Sequence, residues 1–341
     1  MKPIRLDANQ PSRFYRGGSA IERFRGVSSN DEYVPEDWIG STTAVFGEEP
    51  RGLTVLADGR LLRDAVTAEP EAFLGSAHVS RFGADSALLV KLLDAGERLP
   101  VHVHPDRTFA HEHLGARYGK SEAWLIVEAG GDRPLLYLGF REKVDLATLA
   151  DWVARQDRAS MLAALNELPV EPGDCVFVPG GTPHSIGKGV FMVEVQEPSD
   201  LGAMLDWSGF ELGGPDKAEM GLGFDVALGC VRRTALGSEE LSSWIRRSKD
   251  APEIRAGARS VVPPEAKPFF RAEWLRPLPV VALEPSYAIL VVVDGAGRLE
   301  TEDGALDLAR GETVLVPHAA GAGELSGSIE VVRCLPPLPE E

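Results

Sequence analysis

Gly173-Asp174-Cys175-Val176-Phe177-Val178-Pro179-Gly180-Gly181-Thr182-Pro183-His184 holds a four-residue apolar run closed at both ends by residues that interrupt regular structure. A helix needs about ten or more residues of continuous 3,4 periodicity, and the bounding Gly173 and Pro179 leave no room for it, so the run reads as a strand. The opening seven residues recur as Gly311-Glu312-Thr313-Val314-Leu315-Val316-Pro317: glycine, an acid, three residues, valine, proline. Two copies suggest two related β units. The second has no histidine at the position of His184, so the first unit is the one expected to carry chemistry.

Outward from this stretch the same grammar continues. Leu88–Leu93, Ala123–Val127, Leu135–Leu138, Val190–Val195, Ala288–Val293 and Ile329–Val332 are short runs rich in Val, Ile, Leu or Phe. The 36 glycines and 25 prolines are scattered between runs as punctuation. Many short strands with frequent turn signals predict an all-β sandwich or barrel. Two regions depart from it. After Asp145, Leu146, Leu149, Trp152 and Val153 take helical spacing, and Met161, Leu162 and Leu165 continue it as far as Pro169. Ser238 reads as an N-cap, with Glu239 and Glu240 in the first turn and Arg246 and Arg247 in the last, which suits a helix dipole.

The 341 residues suggest two or three domains. With 44% hydrophobic residues a core can form, and a net charge of −17 argues against phosphate-backbone binding, so no nucleic-acid partner is expected. Cys175, Cys230 and Cys334 form no CxxC unit, which argues against a disulfide framework or a cysteine-built zinc knuckle. The N-terminus lacks an apolar signal region, and no apolar stretch approaches the roughly 18 residues of a membrane span. A cytoplasmic protein without a membrane partner, monomeric or homodimeric, is expected.

Four of the seven histidines fall close together: His102, His104, His111 and His113. Residues two apart on a strand share a face, so His102 and His104 can converge on one ion; otherwise they form a polar strand end. His111 and His113 sit in a polar insertion and read as solvated. The pattern Gly96, five residues, His102, one residue, His104 has its counterpart in Gly173, five residues, Pro179-Gly180-Gly181, two residues, His184. Between the halves, Glu122 heads an apolar strand, a costly place for a carboxylate without a cation nearby. Three imidazoles and a carboxylate suit one divalent ion: zinc first, with Mn, Fe, Co or Ni as alternatives.

These motifs resemble those of the cupins. More narrowly, the chain resembles the type I mannose-6-phosphate isomerases in their shorter bacterial form. The likeness runs through Phe14-Tyr15-Arg16-Gly17-Gly18, His102-Val103-His104-Pro105-Asp106, Gly119-Lys120-Ser121-Glu122, Pro179 to Gly187, and Val193 to Asp200. It implies a mainly β fold of two cupin-like jelly-roll β-barrels with inserted helices. Residues 1–140 and 170–210 would form the metal-binding barrel, 141–169 and 211–250 the helical insertions and linker, and 251–341 a degenerate second barrel. It also implies metal ligands at His102, His104, Glu122 and His184, a substrate contact at Lys120 and a proton-transfer base at Glu194, which is otherwise a strand-edge carboxylate. The implied activity interconverts mannose 6-phosphate and fructose 6-phosphate, or a related sugar, through an enediol. A catalytically weak or inactive sugar-binding homologue is the alternative, and an iron-dependent oxygenase a more distant one. The family arginine that follows the Pro-Ser-Asp segment falls on Met204, where no guanidinium can hold an anionic substrate. Either Lys188 or Arg107 then supplies the charge, or the substrate is a different one, or catalysis is weak.

Overall fold

Gly173 and Gly311 both take positive φ, 90° and 89°. Each turns the chain directly into a strand, Cys175–Val178 and Thr313–Val316, whose limits coincide with the runs read from the sequence. Both copies of the repeat therefore begin with the same backbone device, one that an L side chain would strain. The computed structural model describes residues 1–131 and 134–339; the expected ranges 1–140 and 251–341 each contain two positions outside these.

Among the described residues the strands form three antiparallel sheets. The six-stranded sheet runs Ile245–Arg246, Cys175–Val178, Glu122–Ala129, Val190–Gln196, Leu89–Asp94, Glu36–Ile39. The five-stranded sheet runs Ala203–Met204, His102–Val103, His184–Ile186, Leu135–Phe140, Leu165–Pro169. The nine-stranded sheet gathers the C-terminal strands, among them Ala288–Thr301 and Gly323–Leu335, and takes in Ile4–Arg5 from the N-terminus beside Thr313–Val316.

The fold is mainly β, but the two closed barrels are not seen: among the described residues no sheet closes on itself. In the N-terminal half the strands divide into two facing sheets, each ending in a two-residue edge strand, Ile245–Arg246 or Ala203–Met204, too short to bridge to the other. One apolar cluster joins the back of the six-stranded sheet (Leu92, Leu125, Val193) to the nine-stranded sheet (Ile289, Val291, Val332). A second lies between the five-stranded sheet and its helices (Val103, Phe140, Leu149, Met161), and a third lies within the nine-stranded sheet (Leu275, Leu290, Leu325).

The helical readings need two corrections. The region after Asp145 is two helices, Leu146–Arg155 and Arg158–Ala164, followed by the strand Leu165–Pro169. Gln156 at φ 53° stops the first, and the Asp157 side chain, accepting from Ser160 N, starts the second, as Asp145 does for the first with Thr148 N. The later helix is only Ser238–Ser243, with Gly237 at its N-cap. Arg246 belongs to an edge strand and Arg247 pairs with Asp174, so neither complements that helix. Cys175, Cys230 and Cys334 are buried free thiols. Among the described residues no helix is long and apolar enough to cross a membrane.

Candidate metal centre

Directly opposed residues of antiparallel strands share a face. The register of the six-stranded sheet sets Trp38, Lys91, Glu194 and Trp124 in one row across four strands. Glu36 and Glu122, two residues from Trp38 and Trp124, lie on the same face by the period of two. That face meets the five-stranded sheet, where His102 and His184 are register partners. Two facing sheets thus bring acids and one lysine from one side to imidazoles from the other.

All three imidazoles are oriented from behind. Nδ1 of His102 lies 2.8 Å from Pro100 O, Nδ1 of His104 2.7 Å from Leu201 O, and Nδ1 of His184 2.8 Å from Thr182 O. A carbonyl only accepts, so each Nδ1 carries the proton and each Nε2 presents a lone pair inward. One nitrogen from each ring lies within 4.8 Å of the others. Burial is the main cause that pushes His102 and His104 well below the ordinary histidine range and His184 down to about 4, so the rings are held neutral. Glu122 adjoins two of the rings, with Oε1 3.2 Å from His184 Nε2 and Oε2 3.5 Å from His104 Nε2. His184 Nε2 is fully buried and has no hydrogen-bond partner among the described residues. An inward lone pair with no donor, beside a buried carboxylate, fits a divalent cation. The motif glycines serve close approach: a Cβ on Gly96 would stand 2.0 Å from Gly17 O.

Lys120 and Glu194 share the site. Lys120 Nζ lies 2.8 Å from His104 Nε2, 2.9 Å from Glu122 and 3.5 Å from Glu194 Oε1. Burial would lower its pKa, but the two carboxylates outweigh that and keep it charged. Burial, then the charge of Glu122, pushes Glu194 up to about 8. Far from being a strand-edge carboxylate, Glu194 is buried on a central strand. Met204 lines the same cavity.

Other sequence expectations fall elsewhere. Lys188 is exposed on the turn after His184–Ile186 and does not line the cavity, so it is not the missing cation there. Arg107 is held by Glu197 at 2.5 Å and stacks on Phe269. His111 and His113 are exposed on the helix Arg107–Leu114, as expected. The larger cleft of about 780 Å³ beside Trp274 is lined by none of these residues.

Sequence reading missed a second cluster on the cavity wall. Arg13 forks onto both oxygens of Asp200 (3.1 and 3.2 Å) and lies 3.3 Å from Glu36; Lys91 is 3.3 Å from Glu36 and packs over Trp38. Glu36 also accepts from the Tyr15 hydroxyl and from Trp38 Nε1 at 2.6 Å. Burial alone would raise the Glu36 carboxyl, but Arg13, Lys91 and the two hydrogen bonds hold it well below the usual range. Lys91 was detectable: a lysine inside Leu89-Val90-Lys91-Leu92-Leu93 raises the same question as Glu122. Glu36→Gln is expected to lower stability by about 3–5 kcal/mol in urea unfolding, because it leaves buried cations under-compensated. Since the folded pKa is depressed, this carboxylate stabilises above its unfolded value of about 4.3 and loses that contribution as pH falls through the folded value. The wild type should therefore lose stability in acid that Glu36→Gln has already lost at neutral pH.

Facing β-sheets that bring three imidazoles together, with the Glu122 carboxylate beside two of them, define a cupin-type fold with a centre that could hold a metal ion. A family profile described as "Mannose-6-phosphate isomerase, cupin domain" matches residues 280–336. Over nearly the whole length the chain is 26% identical to a mannose-6-phosphate isomerase of Streptococcus mutans (97% of each chain), and it is 27% identical to mannose-6-phosphate isomerase ManA of Bacillus subtilis (93% of each). Its fold superposes on the crystal structure of a Bacillus subtilis mannose 6-phosphate isomerase with a TM-score of 0.77 at 23% identity, covering 98% of this chain and 99% of that one. Over nearly its whole length the chain is thus similar to mannose-6-phosphate isomerases, and its residues 280–336 match their cupin-domain profile.

Proposed function

We propose that the protein interconverts mannose 6-phosphate and fructose 6-phosphate with the help of one divalent ion, zinc first among the candidates. The observation that carries this reading is the convergence of three inward Nε2 atoms and Glu122 beside Lys120 and Glu194. His102, His104, Glu122 and His184 would hold the ion, which supplies Lewis-acid polarisation of the sugar oxygens when bound. Glu194 takes the proton from C2 of the aldose and returns it to C1, passing through the enediol. Its elevated pKa suits a group that must both accept and release a proton. The Lys120 ammonium donates a hydrogen bond to the oxygen on which charge develops. Burial of Lys120, Glu122 and Glu194 keeps bulk water away from the transferring proton. The two N-terminal sheets carry the chemistry, and the nine-stranded sheet packs behind the six-stranded one as support.

Chelator-stripped protein is expected to lose conversion of mannose 6-phosphate to fructose 6-phosphate and to regain it with Zn or Mn. Absence of turnover with every divalent ion tried would retire the reading.

A further inference from the structure

The cavity between the metal-centre residues is only about 40 Å³. Small-molecule pockets run from about 300 to 1,000 Å³, so the body of a sugar phosphate must lie elsewhere. Arg13, Phe14, Asp200, Gly202 and Met204 line both this cavity and an outer cleft of about 630 Å³. The substrate's distal end belongs in that cleft.

The cations of the inner wall are each committed to carboxylates: Arg13 to Asp200 and Glu36, Lys91 to Glu36, and Lys120 to Glu122 and Glu194. In the outer cleft Arg51 pairs with Glu48. Lys217 also lines the cleft, is exposed, and has no side-chain ion pair or hydrogen bond among the described residues. Its position is informative: Met204 N donates to Ala218 O at 2.7 Å, so the residue next to Lys217 pairs with the very strand position that lacks the family arginine. Gly214 and Pro215 open the one-turn 3₁₀ helix Pro215–Lys217 that presents it.

We infer that Lys217 is the specificity residue that holds the phosphate monoester of the substrate, supplying from the neighbouring segment the charge that Met204 cannot. This rests on the isomerase reading above. Asp216 and Glu211 also line the cleft. A phosphate placed there needs a cation to offset their repulsion, which sharpens the dependence on Lys217.

The test is steady-state kinetics and calorimetry on the metal-loaded protein. Lys217→Ala is expected to raise KM for mannose 6-phosphate about 10- to 100-fold, the loss of one hydrogen bond to a charged group. Its kcat, its metal content and its calorimetric response to unphosphorylated mannose should match the wild type. Adding Met204→Arg to Lys217→Ala should recover at least part of the lost affinity. An unchanged KM in Lys217→Ala would overturn the inference, as would an equal loss towards mannose. If the wild type turns over no sugar phosphate, the isomerase reading fails, and titration with mannose 6-phosphate decides on Lys217 alone. At least tenfold weaker binding in Lys217→Ala supports its role; equal binding, or no binding by the wild type, refutes it.

Discussion

Alanine in place of His184 is expected to leave the protein without bound metal and to cost at least about 10³-fold in kcat/KM for mannose 6-phosphate. His184 is fully buried at the middle of the donor set, 4.1 Å between ring centroids from His102 and 5.3 Å from Trp124. Its Nδ1 is fixed by Thr182 O, so its Nε2 has one direction available, towards Glu122, and no hydrogen-bond partner among the described residues. Removal would delete one of the proposed ligands and also open a void that the surrounding strands, packed on both faces, close only in part. Elemental analysis after gel filtration, alongside the isomerase assay, checks both losses. His111→Ala supplies the contrast: on an exposed helix face it should keep full metal and activity. A His184→Ala protein that is folded and fully loaded would remove this histidine from the centre.

The second large effect is expected from Glu194→Gln. The amide keeps the shape, and its oxygen can still accept from Lys120, so metal content should stay near that of the wild type. What disappears is a group able to take a proton from carbon. The kcat should fall by about 10²–10⁴-fold, the usual weight of a positioned acid–base group. Exchange of the C2 proton with solvent deuterium, followed by NMR, should slow in parallel. A near-normal kcat would assign the proton transfer to another residue; a large loss of metal would make Glu194 a ligand.

Strands and site residues differ in how far the amino-acid sequence discloses them. Cys175–Val178 and Thr313–Val316 were readable to the residue because Gly, Asp or Glu, and Pro bound them chemically. Ala288–Thr301 and Gly323–Leu335 run far beyond the apolar stretches that announced them. In the first, Asp294 to Arg298 pair as strand while facing solvent, so no hydrophobic alternation marks them. The His102, His104 and His184 set was legible because the period of two and the paired glycine patterns are local properties. The Arg13, Glu36, Lys91 and Asp200 cluster was not, because its members come from separate segments brought together only by the register of Glu36–Ile39 against Leu89–Asp94 and by the chain folding back at Asp200. Glu194 was ambiguous in sequence for a related reason. An acid between two valines has a definite face, but which face meets the imidazoles depends on strand partners far along the chain.

The most direct test of the central claim is an anomalous-scattering map, collected at the zinc edge, from crystals of the zinc-reconstituted protein. The account predicts a single strong peak about 2.0–2.2 Å from Nε2 of His102, His104 and His184 and from a carboxylate oxygen of Glu122. A zinc peak held by other residues, with these four side chains uncoordinated, would contradict it.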